Sequence, residues 1–282
     1  MKNIAYYNGK TGPIEEMTVP MNDRACYFGD GVYDATAAIN HVPMHFDDHI
    51  DRIYSSAKLI DIDIPMEREE MKKMLLDLIA QVEGDALFVY WQVTRGVGMR
   101  NHPYSGVDGK PSVWAFVRPM TMRDPYSAYK CITMEDTRFL HCNIKTINLL
   151  PAVIANQRAM EAGCEETIFH RGERVTECSH SNVHMIKDGV LHTAPCDNLI
   201  LPGIVRKHIL RICRDLGIEV VEEPFTVSQM LEADEVFFSS SSALCARICE
   251  VDGKAVGMKD ERTFAAIRDE YQRRMKAECG LA

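Results

Sequence analysis

His141-Cys142-Asn143-Ile144-Lys145-Thr146-Ile147-Asn148, followed further on by Glu177-Cys178-Ser179-His180-Ser181-Asn182, is the stretch around which the rest of the sequence arranges itself. A lysine flanked by apolar residues, then an acid, hydroxyls and an amide at a strand end, marks a site built to hold a cofactor. Burial disfavours the ammonium form of a lysine and so makes it a better amine nucleophile. Schiff-base chemistry needs such an amine.

Outward from this stretch the chain reads as an α/β (α+β) protein of two domains. Ile4 to Asn8 and Val32 to Ile39 have strand composition and are separated by the turn-prone Met21-Asn22-Asp23-Arg24. Ile50, Ile53, Tyr54, Ala57 and Ile60 recur at helical spacing, and Met71, Met74, Leu75, Leu78 and Val82 repeat it after Pro65. Ala86 to Arg95 and Ser112 to Val117 read as long apolar strands joined by the loop Gly96-Val97-Gly98-Met99-Arg100-Asn101-His102-Pro103. A smaller N-terminal domain is expected over residues 1–118, an interdomain linker over the proline-bounded 119–130, and a larger cofactor-binding domain over 131–282.

In the second domain Cys131 to Glu135 reads as a strand and Leu150 to Ala162 as a helix stopped by Gly163. Thr167 to His170 is a further strand, and Val183 to Ile186 with Val190 to Thr193 form a hairpin about Asp188-Gly189. Pro202-Gly203 opens a helix closed by Gly217. Glu235 to Phe238 ends in Ser239-Ser240-Ser241-Ser242, and a C-terminal amphipathic helix carries Phe264, Ile267, Tyr271 and Met275.

The 282 residues carry a formal charge of −9, which argues against nucleic acid or an anionic membrane surface as partner. No apolar run approaches the roughly 20 residues of a membrane span, and Ile4-Ala5-Tyr6-Tyr7 is strand-like rather than the apolar core of a signal peptide, so a cytoplasmic protein is expected. The ten cysteines include no Cys-x-x-Cys pair, which signals neither a disulfide framework nor a zinc site. His45 with His49 and His180 with His184 have metal-like spacing but lack a nearby third ligand, and no metal is expected.

A phosphorylated aldehyde such as pyridoxal 5′-phosphate needs an amine, an anion cradle and a carboxylate for its ring nitrogen. Lys145 supplies the amine and is placed to move the substrate's proton. Glu177 is the candidate carboxylate, favouring a protonated ring by charge pairing. The helix start Gly203-Ile204-Val205 offers free N–H groups to a phosphate, the serines at 239–242 offer hydroxyls, and Arg52 offers a planar fork.

These parts occur in an order that resembles the class IV, fold-type IV pyridoxal-phosphate-dependent aminotransferases over nearly the whole chain. Glu177-x-Ser179-x-x-Asn182-Val183, Leu191-x-Thr193 and Leu201-x-Gly203-Ile204-x-Arg206 are similar to the family signature, and Asp30-Gly31-Val32-Tyr33 with His49-Ile50-Asp51-Arg52 to its N-terminal half. The resemblance implies a two-domain enzyme with pyridoxal 5′-phosphate at the domain interface, and a homodimer. It makes Lys145 the cofactor-binding and catalytic lysine, Glu177 the ring-nitrogen partner, Leu201 a neighbour of the ring, and Arg52, Ile204, Val205, Ser240 and Ser241 the phosphate site.

Gln92-Val93-Thr94-Arg95-Gly96 followed by Arg100-Asn101-His102 resembles the D-amino acid aminotransferases, which implies that Arg100 and His102, with Tyr33, receive the substrate carboxylate. The expected reaction is a ping-pong transfer of an amino group from a D-alanine-like donor to a 2-oxo acid. The alternatives are a branched-chain L-amino acid aminotransferase, an aminodeoxychorismate lyase and, outside catalysis, a binding protein that keeps the fold alone. Two positions depart from the pattern. His184 stands where an aromatic residue is usual, and Asp34 is a shorter acid than the usual glutamate.

Overall fold

The computed structural model describes every residue except 106, 108 and 282, so the end of the expected second domain at Ala282 lies outside the described residues. The chain divides into two compact units: residues 1–121, 144–148 and 278–281 form the first, and residues 122–143 and 149–277 most of the second. Residues 144–148, read from the sequence as part of the second domain, make their contacts with the first unit. Lys145 therefore belongs there.

The first unit is built on strands β1 (Ile4–Tyr7), β2 (Lys10–Gly12), β3 (Gly31–Ile39), β4 (Val42–Pro43), β5 (Ala86–Thr94) and β6 (Ser112–Pro119). They form one sheet in the order β2-β1-β6-β5-β3-β4. Alternation sets its two faces: Leu87, Val89, Trp91 and Val93 of β5 are buried, while Phe88 and Tyr90 are half-buried on the other side. The buried face packs on helices α2 (Phe46–Lys58) and α3 (Arg68–Ile79) through Ile50, Ile53, Met71 and Leu75. Between β2 and β3 the expected turn is present at Met21-Asn22, closed by the Asp23 N–H on the Pro20 carbonyl at 2.9 Å, and a short helix α1 (Arg24–Phe28) follows it. Asp23 caps it, accepting from Ala25 N–H, and Gly29 ends it at φ 62°. A five-residue helix is too short to show a period, which is why the sequence pattern concealed it.

In the second unit the strands are β7 (Ala128–Glu135), β8 (Glu166–Arg171), β9 (Arg174–Cys178), β10 (Asn182–Lys187), β11 (Val190–Thr193), β12 (Val220–Glu222), β13 (Glu235–Ser240), β14 (Leu244–Val251) and β15 (Lys254–Ala255). They form a nine-stranded mixed sheet running β12-β11-β10-β13-β14-β7-β8-β9, with β15 paired to β14. Helices α4 (Leu150–Glu161), α5 (Ile204–Leu216), α6 (Val227–Leu231) and α7 (Glu261–Glu278) complete it. The β10–β11 hairpin turns at Asp188 and Gly189, both at positive φ, as its Asp-Gly pair leads one to expect. Ser239 and Ser240 lie within β13, so the serine run is only partly a loop. Register then does the positioning, because Asn182 at the start of β10 pairs with Ser239 near the end of β13.

Candidate active site

Within the first unit Lys145 lies on a short segment that borders the start of β3. Thr146 bridges to Val32, the Tyr33 N–H donates to the Lys145 carbonyl at 3.0 Å, and the Ile147 N–H donates to Gly31 at 3.2 Å. Lys145 itself donates from its backbone N–H to Ser56 Oγ at 3.3 Å. Its side chain is half-buried, with Nζ 4.2 Å from the centre of the Tyr33 ring, a cation–π contact. The backbone fixes where the lysine begins, and the residue is not closed off from solvent.

Helix α2 brings His49, Arg52 and Ser56 onto one side, three and four residues apart. The partner of His49 and Arg52 is Asp34 on β3, which is fully buried. Arg52 donates to it through Nε at 2.8 Å and Nη2 at 2.7 Å, and His49 Nδ1 lies 2.7 Å from Oδ1. Burial alone would raise the Asp34 carboxyl, but Arg52 and His49 more than offset it and hold it far below the usual carboxylate range. His49 is pulled down by burial more than Asp34 raises it, so its ring is neutral near pH 7. The shorter acid thus reaches both α2 partners, and Arg52, expected as a phosphate ligand, is oriented by Asp34.

Arg100 and His102 are exposed and gather on a different residue, Phe28 of α1. The Arg100 guanidinium lies 5.3 Å from the Phe28 ring centre and the His102 ring 5.3 Å from it. Tyr33, the third member of the expected carboxylate site, stands under Lys145 and stacks on Tyr90 at 5.4 Å.

In the second unit Glu177 is the penultimate residue of β9 and is buried. One of its oxygens accepts from Arg138 Nη1 at 2.5 Å, and the other from Asn182 Nδ2 and the Leu201 N–H, each at 3.0 Å. Asn182 Nδ2 also donates to the Leu201 carbonyl at 3.0 Å. Gly203, which caps α5 without a side-chain hydrogen bond, comes so close that a Cβ there would lie 1.9 Å from Asn182 Oδ1. Asn182 is therefore the hub that gathers Glu177, Leu201, the start of α5 carrying Ile204 and Val205, and the end of β13 carrying Ser240. Ser240 Oγ lies 3.4 Å from Ser242 Oγ and accepts from the Ala243 N–H at 3.3 Å, while Ser241 follows in the turn.

Three residues have roles that the sequence did not assign to them. Arg138 touches Glu177 and grips Asp136 through Nε and Nη2, both at 2.9 Å, while stacking on Phe169 at 4.8 Å. Burial raises the Asp136 carboxyl, but Arg138 lowers it further, keeping the pair ionic. The hub role of Asn182 depends on register and the close approach of Gly203, neither visible in a motif. Arg24, the third, is buried beneath the Arg100 loop. His184 is also explained: it is fully buried, stacks on Phe237 at 4.8 Å and lies 2.8 Å from Ser239 Oγ.

Comparison with known proteins gives the family. The family model described as amino-transferase class IV matches residues 31–251. A D-alanine aminotransferase of Listeria monocytogenes is 43% identical over 246 residues, covering 86% of this chain and 85% of its own. One from Bacillus licheniformis is 36% identical over 253 residues, with 89% of each chain covered. Among solved structures, the branched-chain aminotransferase of Thermoproteus uzoniensis with norvaline shares the fold at a TM-score of 0.89 and 23% identity, over 99% of this chain and 95% of that one. With the family model spanning most of the sequence and relatives well above 30% identity, the chain belongs to the class IV aminotransferases.

Proposed function

We propose that this aminotransferase moves the amino group of a D-amino acid, D-alanine foremost, to a 2-oxo acid in a ping-pong cycle. The observation that carries the reading is the 43% identity to a D-alanine aminotransferase over most of both chains. The branched-chain alternative rests on fold-level likeness at 23% identity, and fold alone does not choose a substrate.

The cofactor is pyridoxal 5′-phosphate, which supplies, when bound, the carbonyl that takes up the amino group and the ring that spreads the electrons released at Cα. The residues present fit it. Lys145 offers an accessible amine on a rigid backbone, to anchor the cofactor and then carry the Cα proton. Glu177, fixed by Asn182 and Leu201, offers a carboxylate to a ring nitrogen. The uncapped start of α5 offers the Ile204 and Val205 N–H groups to a phosphate, with Ser240, Ser241 and Arg52 as further donors and Leu201 against the ring. Arg100, His102 and Tyr33 are proposed to receive the substrate carboxylate. A bidentate guanidinium contact fixes orientation as well as charge, and orientation decides which Cα hydrogen faces Lys145.

The active form is proposed to be a homodimer in the cytoplasm. Helix α4 supports the first point: it buries Ala152, Ala155 and Ala159 while Leu150, Val153 and Ile154 are 69%, 60% and 47% exposed. An apolar stripe facing outward suits a second copy. The free cysteines suit a reducing compartment. Residues 119–130 are proposed as the linker that limited proteolysis would cut first, with 144–148 and 278–281 counted in the first unit rather than with the rest of 131–282.

Initial rates over a panel of D- and L-amino acids, with pyruvate and 2-oxoglutarate as acceptors, test the central reading. D-alanine with 2-oxoglutarate is expected to exceed every L-donor, and a preference for L-leucine or L-valine would overturn it.

A further inference from the structure

The loop that carries Arg100 and His102 is exposed, yet a receptor for a carboxylate must hold its donors in one arrangement, since donor misplacement weakens a charge-assisted contact steeply. The structure supplies a mooring for it. Arg24, buried on α1, sends Nη1 to the Asn101 carbonyl at 2.5 Å and Nη2 to the His102 carbonyl at 3.3 Å. Its Nε donates to Asp30 Oδ2 at 2.7 Å. Every arm of the guanidinium is thus engaged, two arms of it on the backbone between and beside the two side chains that matter.

Asp30 is shared. Arg95, at the root of the same loop, donates Nε to both Asp30 oxygens at 3.0 Å and its two terminal nitrogens to the Asp61 and Ile60 carbonyls at 2.9 and 2.7 Å. Asp30 directly precedes Gly31, the first residue of β3, and so joins the loop to the strand that bears Tyr33. Phe28 completes the arrangement on the side-chain side, lying 4.8 Å from the Arg24 guanidinium and 5.3 Å from that of Arg100. Arg24 thereby holds the loop backbone while Phe28 holds its side chains.

We propose that Arg24, anchored by Asp30, is a positioning residue that sets Arg100 and His102 for the substrate carboxylate and thereby governs substrate binding and donor handedness. The inference rests on the reading of Arg100 and His102 as the carboxylate receptor. Arg24 touches no substrate itself. A lysine could keep the ion pair with Asp30 but not reach two carbonyls and the carboxylate together, because it lacks the planar fork.

The experiment compares Arg24→Lys, Arg24→Met and Arg100→Ala, alone and combined, by steady-state kinetics with D-alanine and 2-oxoglutarate, with cofactor content and thermal midpoint measured on each. Arg24→Lys is expected to raise KM for both substrates about tenfold, roughly the loss of one charge-assisted hydrogen bond, with cofactor content unchanged and kcat within about twofold. The ratio of D- to L-alanine turnover should fall. Combined with Arg100→Ala, either Arg24 variant should add little, because the moored group is gone. If Arg100→Ala raises KM and Arg24→Lys does not, the mooring is wrong while the receptor stands. If Arg100→Ala leaves KM unchanged, the receptor reading itself fails. Arg24→Met is expected to be less stable next to Asp30, so Arg24→Lys decides; a fall in its cofactor content or kcat with unchanged KM would assign Arg24 a merely structural role.

Discussion

Two buried carboxylates, Asp34 in the first unit and Glu177 in the second, are held in opposite ways. Asp34 is fully enclosed, both its oxygens accepting from the Arg52 guanidinium and one of them also facing the neutral His49 ring of the same helix. Glu177 shares its charge with one guanidinium, Arg138, and that guanidinium is also gripped by Asp136. Its other oxygen is held by two neutral donors, Asn182 and the Leu201 backbone. Neutral donors orient a carboxylate without cancelling its charge, so Glu177 keeps an electrostatic pull for a protonated ring while Asp34 is consumed in orienting its neighbours. In the proposed site one acid serves the cofactor directly and the other serves through Arg52.

The largest effect expected tests the amine that both acids are proposed to serve. Lys145→Ala should reduce turnover by at least about 10⁴-fold, the upper range for a positioned proton carrier, while the fold survives because the segment is held by backbone hydrogen bonds. Borohydride treatment of wild-type holoenzyme should attach the cofactor to the peptide containing Lys145, and attachment elsewhere would displace this lysine from its role.

Glu177→Gln comes next. Glutamine can still accept from one amide but offers no charge, and a lost pairing of about two pKa units corresponds to roughly a hundredfold in rate. Wild-type kcat in this variant would show that Glu177, like Asp34, only orients its neighbours. Arg52→Ala probes the opposite carboxylate. It leaves Asp34 buried beside a neutral histidine, so a loss of about 3 kcal/mol in urea unfolding is expected, together with faster loss of cofactor on dialysis. Lost stability with full cofactor retention would separate Arg52 from the phosphate site.

What the sequence made legible follows from the length scale of each interaction. Periodicity marks α2, α3 and α5 and a continuous apolar run marks β5, because each signal lies within one element. The Asp-Gly hairpin and the glycine closing α5 are local chemistry, and both stand where expected. The first unit's claim on residues 144–148 is not local, since it arises from backbone hydrogen bonds to a strand more than a hundred residues earlier in the chain. Side-chain partners are hidden for the same reason. Arg52, Arg100 and Arg24 are equally visible as arginines, but one is fixed by an acid on another strand, one lies on an aromatic ring, and one clasps two carbonyls. Residue type announces the chemistry, and only the fold assigns its partner.

The smallest effect expected concerns His184, the position where an aromatic residue is usual. Burial, reinforced by the nearby Arg206 charge, lowers its pKa from 6.5 to about 3, so the folded protein keeps the ring neutral. Between those values the unfolded chain takes up a proton that the folded chain refuses. Stability contributed by this group is therefore full above pH 6.5 and declines as pH falls, by up to about 1.4 kcal/mol per pH unit. From pH 7 to pH 5.5 the expected loss is about 1 kcal/mol, a few degrees at most in Tm for a chain of this size. His184→Phe keeps the stacking surface toward Phe237 but removes the titration and the contact to Ser239. Its stability at pH 7 is set by packing and hydrogen bonding, so the informative quantity is the slope: urea midpoints across pH 5.5–7 should fall less steeply in the variant than in the parent. Parallel slopes would show that His184 is protonated in the folded state, which would place a charge beside Arg206 and overturn the account of this buried ring as a neutral stand-in for an aromatic residue.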